Sequence, residues 1–165
     1  MELIDDTDDP AVFGLGIQDQ LEVFLNEYRS GLLACLDGLS EAQAKLQLVP
    51  SATTLLGLVK HAMFVEQVWF GQALTGQSRA ELGIVEGPDE SFVLEAQDTI
   101  RSVSLAYEQT IKRSRSATNG LSPDDILTGN RRGELPLRWI YLHVLRELAQ
   151  HAGHADILRE QVLAR

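Results

Sequence analysis

An all-α protein, specifically a four-helix bundle, is what this chain predicts, on three observations. Four long segments carry apolar residues at helical spacing, and no run alternates long enough to make a sheet. The connection between the second and third of these helices is also long enough to cross over a bundle.

Residues 1–16 are acidic and contain Pro10, Gly14 and Gly16, which predicts a flexible arm ahead of one helical domain over 17–165. The first helix is expected from Ile17 to Asp37, with Leu21, Phe24 or Leu25, Tyr28, Leu32 and Cys35 or Leu36 recurring at its core spacing and Gly38 stopping it. Ser40 with Gln43 forms a capping-box pattern for a short turn. Thr53 or Thr54 then caps a second helix running to Leu74, with Leu55, Leu58, His61, Val65 and Val68 or Trp69 along one face.

Gly76, Gly83, Gly87 and Pro88 break any periodicity between residues 76 and 89, so this segment is expected to be the long connection. The third helix is predicted from Asp89 or Glu90 to Ser116 through Phe92, Ala96, Ile100, Val103, Tyr107 and Ile111, and Asn119-Gly120 ends it. Ser122-Pro123 with Asp125 predicts the start of a short helix, followed by a polar loop from Thr128 to Gly133. The fourth helix runs from Pro136 to Leu163, its proline in the first turn where a missing N–H is harmless.

Bulk properties narrow the function. At 165 residues the chain fits one domain with one core. Its formal charge of −10 and its scattered Lys and Arg argue against a nucleic-acid partner. No run of about 18 apolar residues occurs, and the first residues are acidic where a signal peptide is basic, so a cytoplasmic protein without a membrane partner is expected. The single cysteine, Cys35, lies among leucines and reads as a small buried hydrophobe rather than a reactive thiol.

Chemistry concentrates on the fourth helix. His143, Glu147, His151 and His154 are spaced by four, four and three residues, which puts them on one side of a helix with 3.6 residues per turn. A row of ionisable groups aimed into a bundle is expensive unless compensated, and a divalent cation compensates it simply. Groups one turn apart, about 6 Å between Cβ atoms, can converge on one ion. The only other histidine, His61, sits on the apolar face of the second helix, from where it can reach across the core.

Alone, His61 reads as a satisfied core histidine and Glu147 with His151 as a surface pair. Together the four histidines on two helices favour a shared site with three protein ligands and an open position. Glu147 and His154 compete for the third place, and His154 also reads as an acid or base beside the ion. Arg131 and Arg132 could bind an anionic substrate, though loop arginines are usually solvated charge. Trp69, Phe70 and Trp139 read as core, and Asp156, Arg159 and Glu160 as a solvated face. No phosphate loop, nucleophile elbow or CxxC is present.

Two segments resemble the DinB/YfiT-like superfamily of metal-binding four-helix bundles, and within it the actinobacterial branch of mycothiol-dependent transferases. One is Val49-Pro50-Ser51-Ala52-Thr53-Thr54-Leu55-Leu56-Gly57-Leu58-Val59-Lys60-His61, continuing through Val65-Glu66 to Trp69-Phe70. The other is Leu137-Arg138-Trp139-Ile140, then Glu147 and His151-Ala152-Gly153-His154-Ala155-Asp156.

The resemblance implies up-down-down-up topology and a metal held by His61, Glu147 and His151. Many relatives carry His at the Glu147 position, whereas the mycothiol-dependent maleylpyruvate isomerases carry Glu. Two His and one Glu suit Zn first, and also Ni, Fe or Mn. It further implies a low-molecular-weight thiol, mycothiol, as cosubstrate and an electrophile as its partner. The metal-activated thiolate would attack in S-transfer or isomerisation while His154 or His143 moves protons. The competing expectations are a non-catalytic, stress-associated metal-binding bundle, as a homodimer, and a metal-dependent hydrolase.

Overall fold

Four long helices dominate the computed structural model, which describes residues 7–165. The part of the arm over residues 1–6 lies outside them. Just after it, Asp9 caps a single turn, α1 (Pro10–Phe13), by accepting from the Ala11 N–H at 2.8 Å, and Val12 is buried.

Helix α2 (Ile17–Ala34) buries Leu21, Leu25 and Leu32 at the expected spacing, while Phe24 faces solvent. A capping box at Ser40 opens the short α3 (Glu41–Ala44). Thr54, not Thr53, caps α4 (Leu55–Glu66): its Oγ1 accepts from the Gly57 N–H at 2.9 Å. The same helical run continues as a π-turn over Gln67–Gln72 and as α5 (Ala73–Thr75), ending at Gly76 with φ +71°. After α6 (Arg79–Leu82) and a 3-10 turn over Glu90–Phe92 come α7 (Ile100–Thr118), strands β1 (Ile126–Leu127) and β2 (Leu135–Pro136), and α8 (Leu137–Leu163). Helix α2 packs on α8, and α4 packs on both α7 and α8, closing one core around Leu25, Leu56, Leu58, Tyr107, Ile140 and Leu148.

Two expected helix starts need correction. The third helix starts at Ile100, ten or eleven residues late, because residues 93–99 have better local partners than an α-helix offers. Lys60 Nζ donates to the Val93 carbonyl at 2.9 Å and to Asp98 Oδ2 at 2.8 Å, and the same Asp98 oxygen accepts from the Glu95 N–H. Thr99 then forms a capping box with Ser102, which fixes the helix start. Phe92 and Ala96 happened to continue the periodic stripe.

The second correction is at Ser122-Pro123, which opens a turn and a two-stranded antiparallel ladder instead of a helix. Asp125 Oδ2 accepts from the Ser122 N–H, closing the turn, and the Asp125 and Pro123 carbonyls accept from the Leu137 and Arg138 N–H groups. These bonds satisfy the first turn of α8, whose N-cap position is Pro136.

A buried polar network joins the four long helices. Arg29 on α2 donates through Nε and Nη2 to both carboxylate oxygens of Glu66 on α4, at 2.6 and 2.9 Å, with the two side chains 2% and 0% exposed. Its Nη1 donates to Asn26 Oδ1 and Glu22 Oε2. The Tyr141 hydroxyl of α8 bonds Glu22 at 2.8 Å and lies 3.2 Å from Thr118 Oγ1 of α7. On the other flank, Arg159 donates to the Cys35 and Asp37 carbonyls, so it completes the end of α2 where solvated charge was expected.

Truncating one partner of such a pair strands a charge in the core. Glu66→Ala should therefore lower unfolding free energy by about 3–5 kcal/mol in urea titrations. The double variant Arg29→Met, Glu66→Leu should lose much less than either single truncation.

Candidate metal centre

Helix α4 brings His61 to the core because Leu58, Ala62 and Val65 share its buried side, and α8 brings His151 between the buried Leu148 and Ala155. The imidazoles of His61 and His151 meet edge to face, 4.6 Å between centroids. Glu147 lies one turn before His151, its Oε2 3.9 Å from His151 Nε2. One potential ligand atom from each of His61, Glu147 and His151 falls within 4.8 Å of the others, a grouping open to a metal ion.

The orientation of His61 is fixed by a residue the sequence did not point to. Ser91, in the 3-10 turn, has its hydroxyl 2.7 Å from His61 Nδ1 and donates its one proton to the Pro88 carbonyl at 2.5 Å. The Ser91 oxygen therefore accepts from His61, which puts the imidazole proton on Nδ1 and leaves a lone pair on Nε2. Phe92 stacks on the same ring at 4.0 Å.

This approach depends on Gly57, one turn before His61. A Cβ there would lie 2.8 Å from the Phe92 carbonyl oxygen and 3.0 Å from Thr54 Oγ1. The local signals for this arrangement were Gly57 in an otherwise bulky helical run, and Ser91 three residues after Pro88.

Burial keeps the histidines neutral. Desolvation, aided by His151 and opposed by Glu147, pulls the His61 pKa down to about 4. His151 is lowered for the same first reason, with Glu147 opposing. Its Nδ1 is buried without a hydrogen-bond partner among the described residues, so the ring retains an unsatisfied nitrogen. Two neutral imidazoles, one with a free Nε2 and one with an orphaned nitrogen, plus a carboxylate, fit a divalent cation.

The remaining candidates separate. Arg146 donates to Glu147 Oε1 at 3.0 Å and to His143 Nδ1 at 3.1 Å, so His143 carries its proton on Nε2. His143 stacks on Trp139 and shares with His61 and Glu147 a cavity of about 210 Å³. His154 is exposed, its ring 5.6 Å from that of His151, and it lines a different cavity with Val49 and Ile157. Trp69 is buried, as a core residue should be, but it also lines the cavity of the triad.

The family described as Mycothiol-S-transferase matches residues 20–164. The chain belongs to this DinB-like family. No curated protein matches it. A solved structure titled as the conserved protein of a locus from Enterococcus faecalis shares its fold, with a TM-score of 0.71 at 13% identity, over 92% of this chain and 100% of that one. Among the described residues, no helix is long and apolar enough to cross a membrane.

Removing the Ser91 hydroxyl leaves the His61 N–H buried and unpaired. Ser91→Ala should cost about 1–3 kcal/mol of stability. Long-range nitrogen–proton NMR of the imidazoles should show His61 protonated on Nδ1 in the wild type and a tautomer mixture in the variant. An Nε2–H signal in the wild type would refute the assignment.

Proposed function

We propose that the chain is a metal-dependent transferase that joins a low-molecular-weight thiol to an electrophile, with His61, Glu147 and His151 as metal ligands. The observation that carries this reading is the convergence of those three donors beside an open cavity, in a chain of the mycothiol S-transferase family. The packing of α2 on α8 and of α4 on α7 supports the up-down-down-up arrangement expected for such a bundle.

The sulfur has to come from outside. Cys35 is buried, and desolvation pushes its thiol pKa up to about 12, which leaves negligible thiolate at neutral pH. A divalent ion, zinc by the donor set, would supply the missing activation by favouring the thiolate of a bound cosubstrate.

The protein groups have separate tasks around it. Ser91 holds the His61 ring so that Nε2 is offered as a donor. Arg146 occupies Oε1 of Glu147, leaving Oε2 toward His151. Phe92, Val68 and Trp69 keep the centre apolar and restrict water. In S-transfer the sulfur–carbon bond forms as the leaving group departs with its bonding pair, and the thiol proton passes to a base. His143 lies inside the cavity whereas His154 faces solvent, but with Nε2 protonated and Nδ1 bound by Arg146 it can take that proton only at Nδ1, once Arg146 releases it.

Metal analysis of the protein, purified without a histidine tag, should give one divalent ion per chain. His61→Ala and His151→Ala should each abolish retention, and Ser91→Ala should weaken affinity by about 10–100-fold. Mycothiol with monochlorobimane should show turnover that needs the metal. Turnover of esters without thiol would favour a hydrolase, and bound metal without any turnover a structural module. Cys35 gives an independent check: native alkylation by iodoacetamide should stay slow from pH 7 to 10, whereas the unfolded chain should react increasingly as pH nears the ordinary value of 9.0.

A further inference from the structure

The cavity beside the triad has an unusual charge for this protein. The chain carries −10 overall and has only 14 Lys and Arg, yet Arg79, Arg131, Arg132 and Arg146 all line this one cavity. Among the described residues its only carboxylate is Glu147, which faces the histidines and Arg146.

Arg79, Arg131 and Arg132 make no ion pair with a carboxylate among the described residues; Glu86 borders Arg79 and Arg131 in an adjoining cavity without pairing with either. Two of the three are held by aromatic faces. The Arg132 guanidinium lies 5.7 Å from the Trp69 ring and 5.5 Å from the Trp139 ring, and Arg79 lies 5.4 Å from the Phe64 ring. Stacking of this kind orients a guanidinium while leaving its N–H fork free for an oxyanion.

The loop carrying Arg131 and Arg132 is docked rather than loose. The Gly129 N–H donates to the Ala73 carbonyl at 3.2 Å, and a Cβ at Gly129 would fall 2.5 Å from the Gln72 oxygen and 2.7 Å from the Gly76 nitrogen. The loop backbone thus sits directly on the end of the π-turn, whose Trp69 and Gln72 line the same cavity.

We propose that this cavity is an anion subsite, and that the electrophile, on the transferase reading above, carries a carboxylate or phosphate held by Arg79, Arg131 and Arg132. The anionic group lies on the arginine side, and the reactive carbon faces the triad. An acidic protein with a cationic site selects such substrates from neutral electrophiles of the same size.

Calorimetry on the zinc-loaded protein tests this with succinate, inorganic phosphate and neutral succinamide. Succinate or phosphate should bind at least about tenfold more tightly than the diamide, the preferred anion identifying the group carried. The triple variant Arg79→Gln, Arg131→Gln, Arg132→Gln should weaken that anion about tenfold or more. Arg101→Gln, an exposed control, should leave it unchanged. Circular dichroism checks that the variants fold, and the three single variants, each expected to weaken binding, stand in if the triple does not.

Binding that survives the arginine substitutions, as an anion on the zinc alone would, overturns the proposal, as does equal binding of the diamide or no anion binding. Turnover of neutral iodoacetamide with a thiol, without anion binding, would overturn the anion subsite and leave the transferase. Arginine-dependent anion binding without thiol turnover would do the reverse.

Discussion

The fold turns on a charge pair that water cannot reach. Arg29 and Glu66 are held fork to fork between α2 and α4, and neither can rotate away without exposing an unpaired charge to the core. Such a pair adds little net stability against a well-packed apolar alternative, but it strongly disfavours any other rotation of α4. Five residues separate Glu66 from His61, which is about 140° around a helix of 3.6 residues per turn. Fixing one side of α4 toward α2 therefore directs the other toward α8 and the 90–92 turn, where His151 and Ser91 are waiting.

Beyond Glu66 the helix widens into the π-turn, and this local change distributes three consecutive buried residues. Trp69 meets Trp139 and His143 on the cavity side, while Phe70 packs on Tyr141, next to the polar network. One helical segment thus serves both the apolar wall of the candidate centre and the core. A π-turn costs hydrogen-bond geometry, and its place immediately after Glu66, with Val68, Trp69 and Gln72 lining the cavity, agrees with the tendency of such turns to occur at functional sites.

The parts legible in the sequence were those governed by long, uninterrupted periodicity. The spacing of Glu147 and His151 on α8, and the apolar setting of His61 on α4, held because helices of that length have few alternatives. The start of α7 was misplaced because Phe92, Ala96 and Ile100 mimic a helical stripe while Lys60 and Asp98, 38 residues apart, compete for the intervening backbone. Ser91 as an orienting group was invisible for a related reason: its partner is 30 residues away, and only the fold shows that Gly57 leaves room for the turn. Arg131 and Arg132 looked like ordinary loop charges because the aromatic rings beneath Arg132 come from α8 and the π-turn.

These long-range arrangements share one construction. The helices supply donors at fixed intervals, but nothing on α4 or α8 alone distinguishes a buried histidine pair from a site. The distinction comes from two loops brought onto the helices at points where no side chain intervenes: the Glu90–Phe92 turn over Gly57, and the 128–134 loop through Gly129. The first sets the tautomer of a donor, and the second sets the charge of the space in front of it. The second rests on a backbone hydrogen bond, from the Gly129 N–H to the Ala73 carbonyl, and is insensitive to which residues follow in that loop, whereas the first acts through the Ser91 side chain. Chemistry at the centre can therefore stay constant while the loop side chains, arginines here, determine what is admitted to it.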